Sequence, residues 1–313
     1  MKQETAFVRR ANETEALRYP EASGQPMIEY SVIVPVYQHW HLVPELLQCL
    51  GAQTLPPERF EVILVDNLSP DFAPPAELPC NTRLLRCDTP GSYAARNLGA
   101  QHARGAWLIF TDADCLPAPD WLEKHAAFAA RQAPGTLVAG AVNIVSRSPK
   151  PSAWEIYDIV KGIPQEHYVR RGYAATANLA VPRTVFEMLG GFDGSRFSGG
   201  DADLCRRAGH AGHELAFAKE ARVDHPSRTT WEEIATKARR IKGGQLASGS
   251  AGRRRIWLIG TINPPVAGAW RFLKSTSHPL HHRLVAVLVL FRIWIVGLHE
   301  AVRLKAGGVA ERR

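Results

Sequence analysis

The chain has 313 residues, of which 45% are hydrophobic and 22% charged. That is the balance of an ordinary globular protein, enough for one large α/β domain with an appendage, and it argues against a disordered or fibrous chain. The net charge of +8 is uneven, because from Arg222 onward 17 Lys and Arg stand against 5 Asp and Glu. Such asymmetry suggests an anionic partner (phospholipid headgroups, nucleic acid or a phosphorylated substrate) for the C-terminal third, with a merely soluble basic surface as the plain alternative. The five cysteines (Cys49, Cys80, Cys87, Cys115, Cys205) are odd in number and never spaced as CxxC. That argues against a zinc site or a disulfide framework and suits a reducing cytosol. Met1 to Arg10 lacks the apolar stretch of a secretory signal.

In chain order, residues 1–28 are polar and read as a flexible arm. YSVIVPVY (Tyr30–Tyr37) is a β-branched run ended by Pro35, a buried strand feeding a loop. HLVPELLQCLGAQ sets Leu42, Leu46, Leu47 and Leu50 at helical spacing, with Gly51 as its stop. FEVILVDNLSPD is a second apolar strand ending at Asp66, and the Pro- and acid-rich residues 70–81 read as a surface loop. TRLLRC is a third strand, SYAARNLGAQHAR a helix and AWLIFT a strand running into Asp112 and Asp114. PDWLEKHAAFAARQ follows as a helix with Asp120 as its cap.

Further on, TLVAGAVNIV reads as a strand and SAWEIYDIVKG as a helix. AATANLAVPRTVFEMLGGFD divides into a strand, a helix and a Gly190-Gly191 turn. GGDADLCRRAGH is a helix opened by acids, and HELAFAKEARVDH reads as two short strands. Thr230–Ala247 is a basic helix. In HRLVAVLVLFRIWIVGLHEAVRL the apolar core, Leu284–Leu298, contains Arg292. A spanning helix needs ~20 apolar residues, so this segment reads as too short and interrupted to cross a bilayer. It reads instead as an interfacial amphipathic helix, or equally as a helix docked on the domain.

Continuous apolar strands alternating with helices predict a mostly parallel sheet covered on both faces. Ligands of such sheets bind beyond the carboxyl ends of the strands, where Asp66, Asp112 and Asp114 converge. An Asp-x-Asp pair at a strand end suits a hard divalent cation that also holds a diphosphate. In a straight strand both carboxylates would share a face; in a turn one would meet the metal and the other a ribose hydroxyl. The bland alternative is that Asp114 caps the next helix.

Four pieces in order resemble the family 2 glycosyltransferases of GT-A fold across residues 30–245: SVIVPVY, VILVDNLSPD, the stretch from GSYAARNLGA to FTDADC, and NLAVPRTVFEMLGGFDGSRFSGGDADLCRRAGH. The resemblance implies an inverting transferase using a nucleoside diphosphate sugar, with Mn²⁺ or Mg²⁺ and a saccharide or lipid-linked acceptor. It implies that Asp66 and the Pro35–Tyr37 loop hold the base, that Asp112 and Asp114 bind ribose and metal, and that Arg96 positions the donor or simply balances the carboxylates. Asp201 takes the place of the catalytic base, and His225 completes the metal's shell or touches the diphosphate; Gly190 and Gly191 allow a positive-φ turn or a close backbone approach to the donor sugar. Arg228, or a later residue such as Arg239 or Arg240, neutralises the leaving diphosphate. Gly200 departs from the family, which commonly has Glu there.

Elementary geometry favours Asp201 over Asp203, since residues two apart at a helix start point nearly opposite ways. The helix dipole would stabilise Asp201 as the anion. The implied division is an arm (1–28), a catalytic domain (29–228, with halves 29–116 and 117–228) and a basic helical extension (229–313). The extension suggests an anionic membrane surface at the cytoplasmic face. Two rivals share the pocket: a nucleotidyltransferase, disfavoured because SVIVPVYQHWH has no glycine, and a non-catalytic binding protein, for which Gly200 is the best argument. No nucleic-acid motif accompanies the charge.

Overall fold

The computed structural model describes residues 28–196, 198–247 and 251–310; the expected N-terminal arm lies almost wholly outside them. The strands are β1 (Tyr30–Val36), β2 (Phe60–Asp66), β3 (Thr82–Arg86), β4 (Trp107–Phe110), β5 (Leu116–Pro117), β6 (Leu137–Val145), β7 (Leu179–Pro182) and β8 (Leu215–Pro226). They form one sheet in the order β3-β2-β1-β4-β7-β6-β8-β5. The β3-β2-β1-β4 half is parallel throughout, β7 runs antiparallel between β4 and β6, and β8 is parallel to β6. The helices of the sheet layers are α1 (Val43–Gly51), α2 (Ser92–His102), α3 (Trp121–Ala129), α4 (Ala153–Lys161), α5 (Gln165–Val169), α6 (Arg183–Met188) and α7 (Gly200–His210). This is the expected α/β architecture, a mostly parallel sheet flanked by helices.

All seven residues of β2 are buried, including Glu61, which the apolar reading of that strand passed over. Its carboxylate accepts hydrogen bonds from Ser31 Oγ (2.8 Å), from the Arg104 backbone (2.6 Å) and Nε (3.0 Å), and from Arg83 (2.8 Å). Burial alone would raise this carboxyl, but those donors outweigh it and hold it below the usual range. Asp120 stands at the N-cap of α3, yet its side chain makes no cap bond and faces Lys124 at 3.7 Å.

The residues read as two short strands form a single one, β8, because Asn178 stitches the irregularity between them. Gly140 pairs with Ala218, but the next residue, Ala141, pairs with Arg222. The carbonyls of Ala141 and Ala221 at this break both accept from the Asn178 amide at 2.9 Å. Asn178 Oδ1 accepts in turn from Trp121 Nε1 (2.9 Å) and faces His125 Nε2 (2.8 Å). Burial pushes the His125 imidazole down to about 4, so near neutrality it is uncharged and donates to that oxygen. Each buried polar group left unsatisfied costs about 1–3 kcal/mol. Asn178→Ala, which orphans several groups, is therefore expected to destabilise the fold by at least ~3 kcal/mol, read as a lowered urea midpoint.

The C-terminal helices are α8 (Trp231–Ala247), α9 (Ala251–Ile262), α10 (Val266–Lys274) and α11 (Leu280–Lys305). Tyr157 of α4, Ile234 of α8, Phe272 of α10, and Ala286 and Val289 of α11 close a separate small core. The expected short, interrupted segment is corrected here: α11 is one helix of 26 residues, with a mean hydropathy of 2.0 over its best 18-residue window. By length and composition it is long enough to cross a membrane. Arg292 does not break it, because its guanidinium lies over the rings of Trp231 (3.9 Å) and Trp154 (5.0 Å) on neighbouring helices.

Candidate active site

The chain does not continue straight beyond β4. Thr111 N still donates to Ile33 O of β1 (3.3 Å), and Thr111 Oγ1 then turns to Ala177 O (2.9 Å). A tight turn follows, with Cys115 N donating to Asp112 O at 3.1 Å. The turn sends Asp112 and Asp114 different ways and delivers the chain to β5. There Leu116 pairs with Asp224 and Pro117 with Val223 of β8. That antiparallel pairing brings His225, the next residue of β8, against Asp114, with Nε2 at 3.5 Å from Oδ2. Asp114 caps no helix, which removes the bland reading of the pair.

The ligand atoms of Asp112, Asp114, Cys115 and His225 lie within 4.8 Å of one another. His225 Nδ1 sits 2.8 Å from Pro226 O and donates to it, which leaves Nε2 as the ring nitrogen that faces Asp114. A backbone carbonyl behind a histidine fixes the tautomer a metal needs, and the donor set of two carboxylates and one imidazole fits Mn²⁺ or a similar divalent ion. Burial would raise the Asp114 carboxyl, but His225, His39 and Arg228 outweigh it and keep it below the usual carboxylate range. Cys115 is a poor fourth donor: burial, then Asp114 and Asp112, push its thiol well up, and its sulfur points at Ala177 O.

Asp112 accepts a hydrogen bond from the Arg96 guanidinium, which is itself only 4% exposed. The adjacent Asn97 is structural: its amide grips Phe192 O (2.8 Å) and N (2.9 Å). This clamp holds the Gly190-Gly191 turn, where both glycines have positive φ. A Cβ on Gly191 would come within 2.8 Å of Asn97 Oδ1, so the turn itself requires glycine there.

Asp201 lies in the first turn of α7, its Oδ1 accepting from Ala202 N (2.8 Å) and from the Tyr93 hydroxyl (3.2 Å). The helix-dipole argument predicted the wrong direction here. Burial raises the Asp201 carboxyl above its ordinary value, opposed by Ala202 N, Arg96 and Tyr93, while nearby Asp112 pushes it further up. Asp203 is tied to Arg207 and Arg196, each at 2.9 Å, which leaves Asp201 the better-placed base.

Tyr93 was not singled out from the sequence, and it accounts for Gly200. A Cβ at position 200 would lie 2.7–2.9 Å from the Tyr93 ring, so the ring fills the place a larger side chain would need. The Tyr93 hydroxyl of α2 thus donates to Asp201 where a carboxylate at position 200 could only have accepted.

Residues 31–193 match the family described as Glycosyl transferase family 2. The chain belongs to that family. It is 32% identical over 243 residues to glycosyltransferase AglE of Haloferax volcanii, which spans 74% of this chain and 75% of that protein. It is 27% identical over 241 residues to validoxylamine A glucosyltransferase of Streptomyces hygroscopicus subsp. limoneus, covering 64% of this chain and 52% of the relative. The mannosyltransferase PcManGT from Pyrobaculum calidifontis, in complex with GDP-Man and Mn²⁺, superposes with a TM-score of 0.56 at 17% identity over 92% of each chain. TarS 1–349 of S. aureus, in complex with UDP-GlcNAc, gives 0.51 at 15% identity over 90% of this chain and 93% of that one. The fold is GT-A, and the chain is a glycosyltransferase.

In this glycosyltransferase the matched segment ends before Asp201 and His225, so both are placed by the fold rather than by the family match. Pro35 and Tyr37, expected at the base, sit at the end of β1 and just beyond it. Asp66, expected beside them, is fully buried, and its Oδ1 accepts from the Trp40 indole at 2.9 Å. Arg228 pairs with Asp158 at 2.8 Å, though its charge still lowers the Asp114 carboxyl. Arg240 of α8 is the more available cation: its buried Nε has no hydrogen-bond partner among the described residues. Burial and Arg228 lower its pKa, opposed by Tyr93 and Asp112.

Proposed function

We propose that the enzyme transfers a sugar from a nucleoside diphosphate sugar to an acceptor hydroxyl, with inversion at the anomeric carbon. The observation that carries this reading is the convergence of Asp112, Asp114 and His225, with a third carboxylate, Asp201, near Asp112. Asp114, Asp112 and His225 would hold Mn²⁺ or Mg²⁺, which supplies Lewis-acid stabilisation of charge on the departing diphosphate. Arg96 fixes the Asp112 carboxylate, and Arg240 meets the diphosphate, its unpartnered donor being satisfied only when an anion arrives. The Pro35–Tyr37 turn and the buried Asp66–Trp40 pair form the side on which the base rests.

Asp201 takes the proton from the acceptor hydroxyl as that oxygen attacks. Inversion follows from a one-step displacement, for which the site offers a base and no protein nucleophile. The rival reading of a binding protein that had lost its chemistry rested on Gly200; against it, Asp201 stays in place and accepts a hydrogen bond from Tyr93. The acceptor class is a saccharide or lipid-linked glycan of cell-surface polysaccharide or glycolipid assembly. Residues 229–313 act as a basic platform on the cytoplasmic face of a membrane, beside a catalytic unit spanning 29–228.

A thermal-shift series with UDP, GDP, dTDP and CMP tests the donor assignment, each with Mn²⁺, Mg²⁺ or EDTA. A ligand at ~100 times its dissociation constant adds roughly 2.7 kcal/mol, several degrees for a chain of this size. One nucleoside diphosphate is expected to stabilise the protein with metal and not with EDTA. Stabilisation unaffected by EDTA would remove the metal from the reading.

A further inference from the structure

Between α4, α8 and α11 lies a cavity of about 330 Å³, at the small end of the ~300–1,000 Å³ typical of ligand sites. One side carries Asp158, Lys161, Lys237 and Lys242; the other is apolar, with Leu290, Ile293 and Trp294 of α11. The only carboxylate there, Asp158, is already occupied by the guanidinium (2.8 Å) and backbone N–H (3.2 Å) of Arg228. Lys242 Nζ is held by Thr261 (2.8 Å) and Gln245 (3.1 Å), neither of which is charged. Lys161 and Lys237 make no close ion pair among the described residues; Lys161 lies over the Tyr157 ring at 5.8 Å, and both feel the charge of Asp158, which Arg228 already occupies. The cavity therefore gathers more positive charge than its walls neutralise.

Such an arrangement costs stability unless something offsets it. Burial pushes Lys237 well below the usual lysine range, with Arg228 and Lys161 adding repulsion. Burial lowers Lys161 as well, opposed by Asp158 and reinforced by Arg228 and Arg271. An anion entering the cavity would relieve both.

The surroundings say what kind of anion. The end of α9 (Gly260, Thr261) and the turn into α10 (Asn263, Pro264, Pro265) line the cavity, and the neighbouring Ile259, Ile262 and Val266 are exposed at 53%, 63% and 64%. Trp270 of α10 and Leu284, Leu288 and Ile295 of α11 extend the exposed apolar surface. Isolated apolar residues need no explanation, but this many on three successive helices mark an interaction surface. A basic recess edged by exposed aliphatic and tryptophan side chains is the pattern of a lipid headgroup site. Arg228, which pairs with the lining residue Asp158, stands three residues beyond His225 in the chain.

We propose that this cavity binds the phosphoryl head of a lipid-linked acceptor, with Lys161 and Lys237 on the phosphate and the α9–α10 turn and α11 against the lipid chain. The proposal rests on the transferase reading above and names the acceptor's anchoring point. A free phosphate would satisfy the lysines alone, whereas a lipid phosphate also uses the apolar wall.

Isothermal titration of the full chain with farnesyl phosphate, farnesol and inorganic phosphate separates these. Farnesyl phosphate is expected to bind at least tenfold more tightly than either of the others. The Lys161→Gln/Lys237→Gln double variant is expected to bind it no better than farnesol while keeping or raising its thermal midpoint, because two unpaired cations have been removed. Should the double variant fail to fold, Lys237→Met alone carries the same expectation. Equal affinity for farnesol, equal affinity for inorganic phosphate, or undiminished binding by the variants would each overturn the assignment. A nucleoside diphosphate titration with Mn²⁺ on the same wild-type sample keeps the two readings apart. Nucleotide binding without farnesyl phosphate binding would refute the cavity site and leave the transferase reading standing.

Discussion

Asp201→Asn is expected to lower kcat by ~10²–10⁴-fold, the range for losing a general base, with little change in donor binding. The protein should stay folded and its thermal midpoint should not fall, because burial and Asp112 already work against the charged carboxylate. Tyr93→Phe gives the companion result. The hydroxyl donates to Asp201 at 3.2 Å and so favours the anion. Without it the Asp201 pKa rises, and the acid limb of the kcat/KM profile moves to higher pH. The sign follows from which form the hydrogen bond stabilises: the base works only when ionised, so raising its pKa removes activity from the low-pH side first. A Tyr93→Phe enzyme with a uniformly reduced but unshifted profile would make Tyr93 a packing residue only. Near-normal transfer by Asp201→Asn would move the base elsewhere.

The second large effect is expected at Asp114. Asp114→Asn keeps the shape and removes the charge that His225, His39 and Arg228 surround. Metal-dependent nucleotide stabilisation should vanish, and transfer should fall by on the order of 10³-fold, about 4 kcal/mol of lost charge stabilisation. Asp112→Asn should cost less metal affinity, since the Arg96 guanidinium already holds Asp112. The readout is the thermal shift with nucleotide and Mn²⁺ against EDTA, in parallel with initial rates. An Asp114→Asn protein that still shows an EDTA-sensitive shift would assign the metal to other ligands.

These experiments bear on groups that differ in how legible they were. The apolar runs of β1, β2 and β4 have no solution but a buried parallel sheet, since a strand covered on both faces needs no alternation. Asp112 and Asp114 were visible because they follow such a run directly. The acids of α7 were visible because they open a helix, a position defined by sequence neighbours. The size of α11 was misjudged because its ends were sought in a continuous apolar window. A helix carries polar residues wherever partners exist, and Arg292 has two tryptophans beneath it.

Local pattern by itself thus determined the strands, the mostly parallel character of the sheet and the acidic pair at a strand end, all of which depend on residues close along the chain. Tertiary structure alone decided which acid meets His225, because the β5–β8 register joins residues 111 positions apart in the sequence. It alone placed Tyr93 against Asp201 and made Gly200 a fit rather than a loss. It alone enclosed Lys161 and Lys237 in one cavity, since they come from different helices. Charge, burial and hydrogen-bond partners act through space at a few ångströms, and no spacing along the chain records which distant residues will share that space.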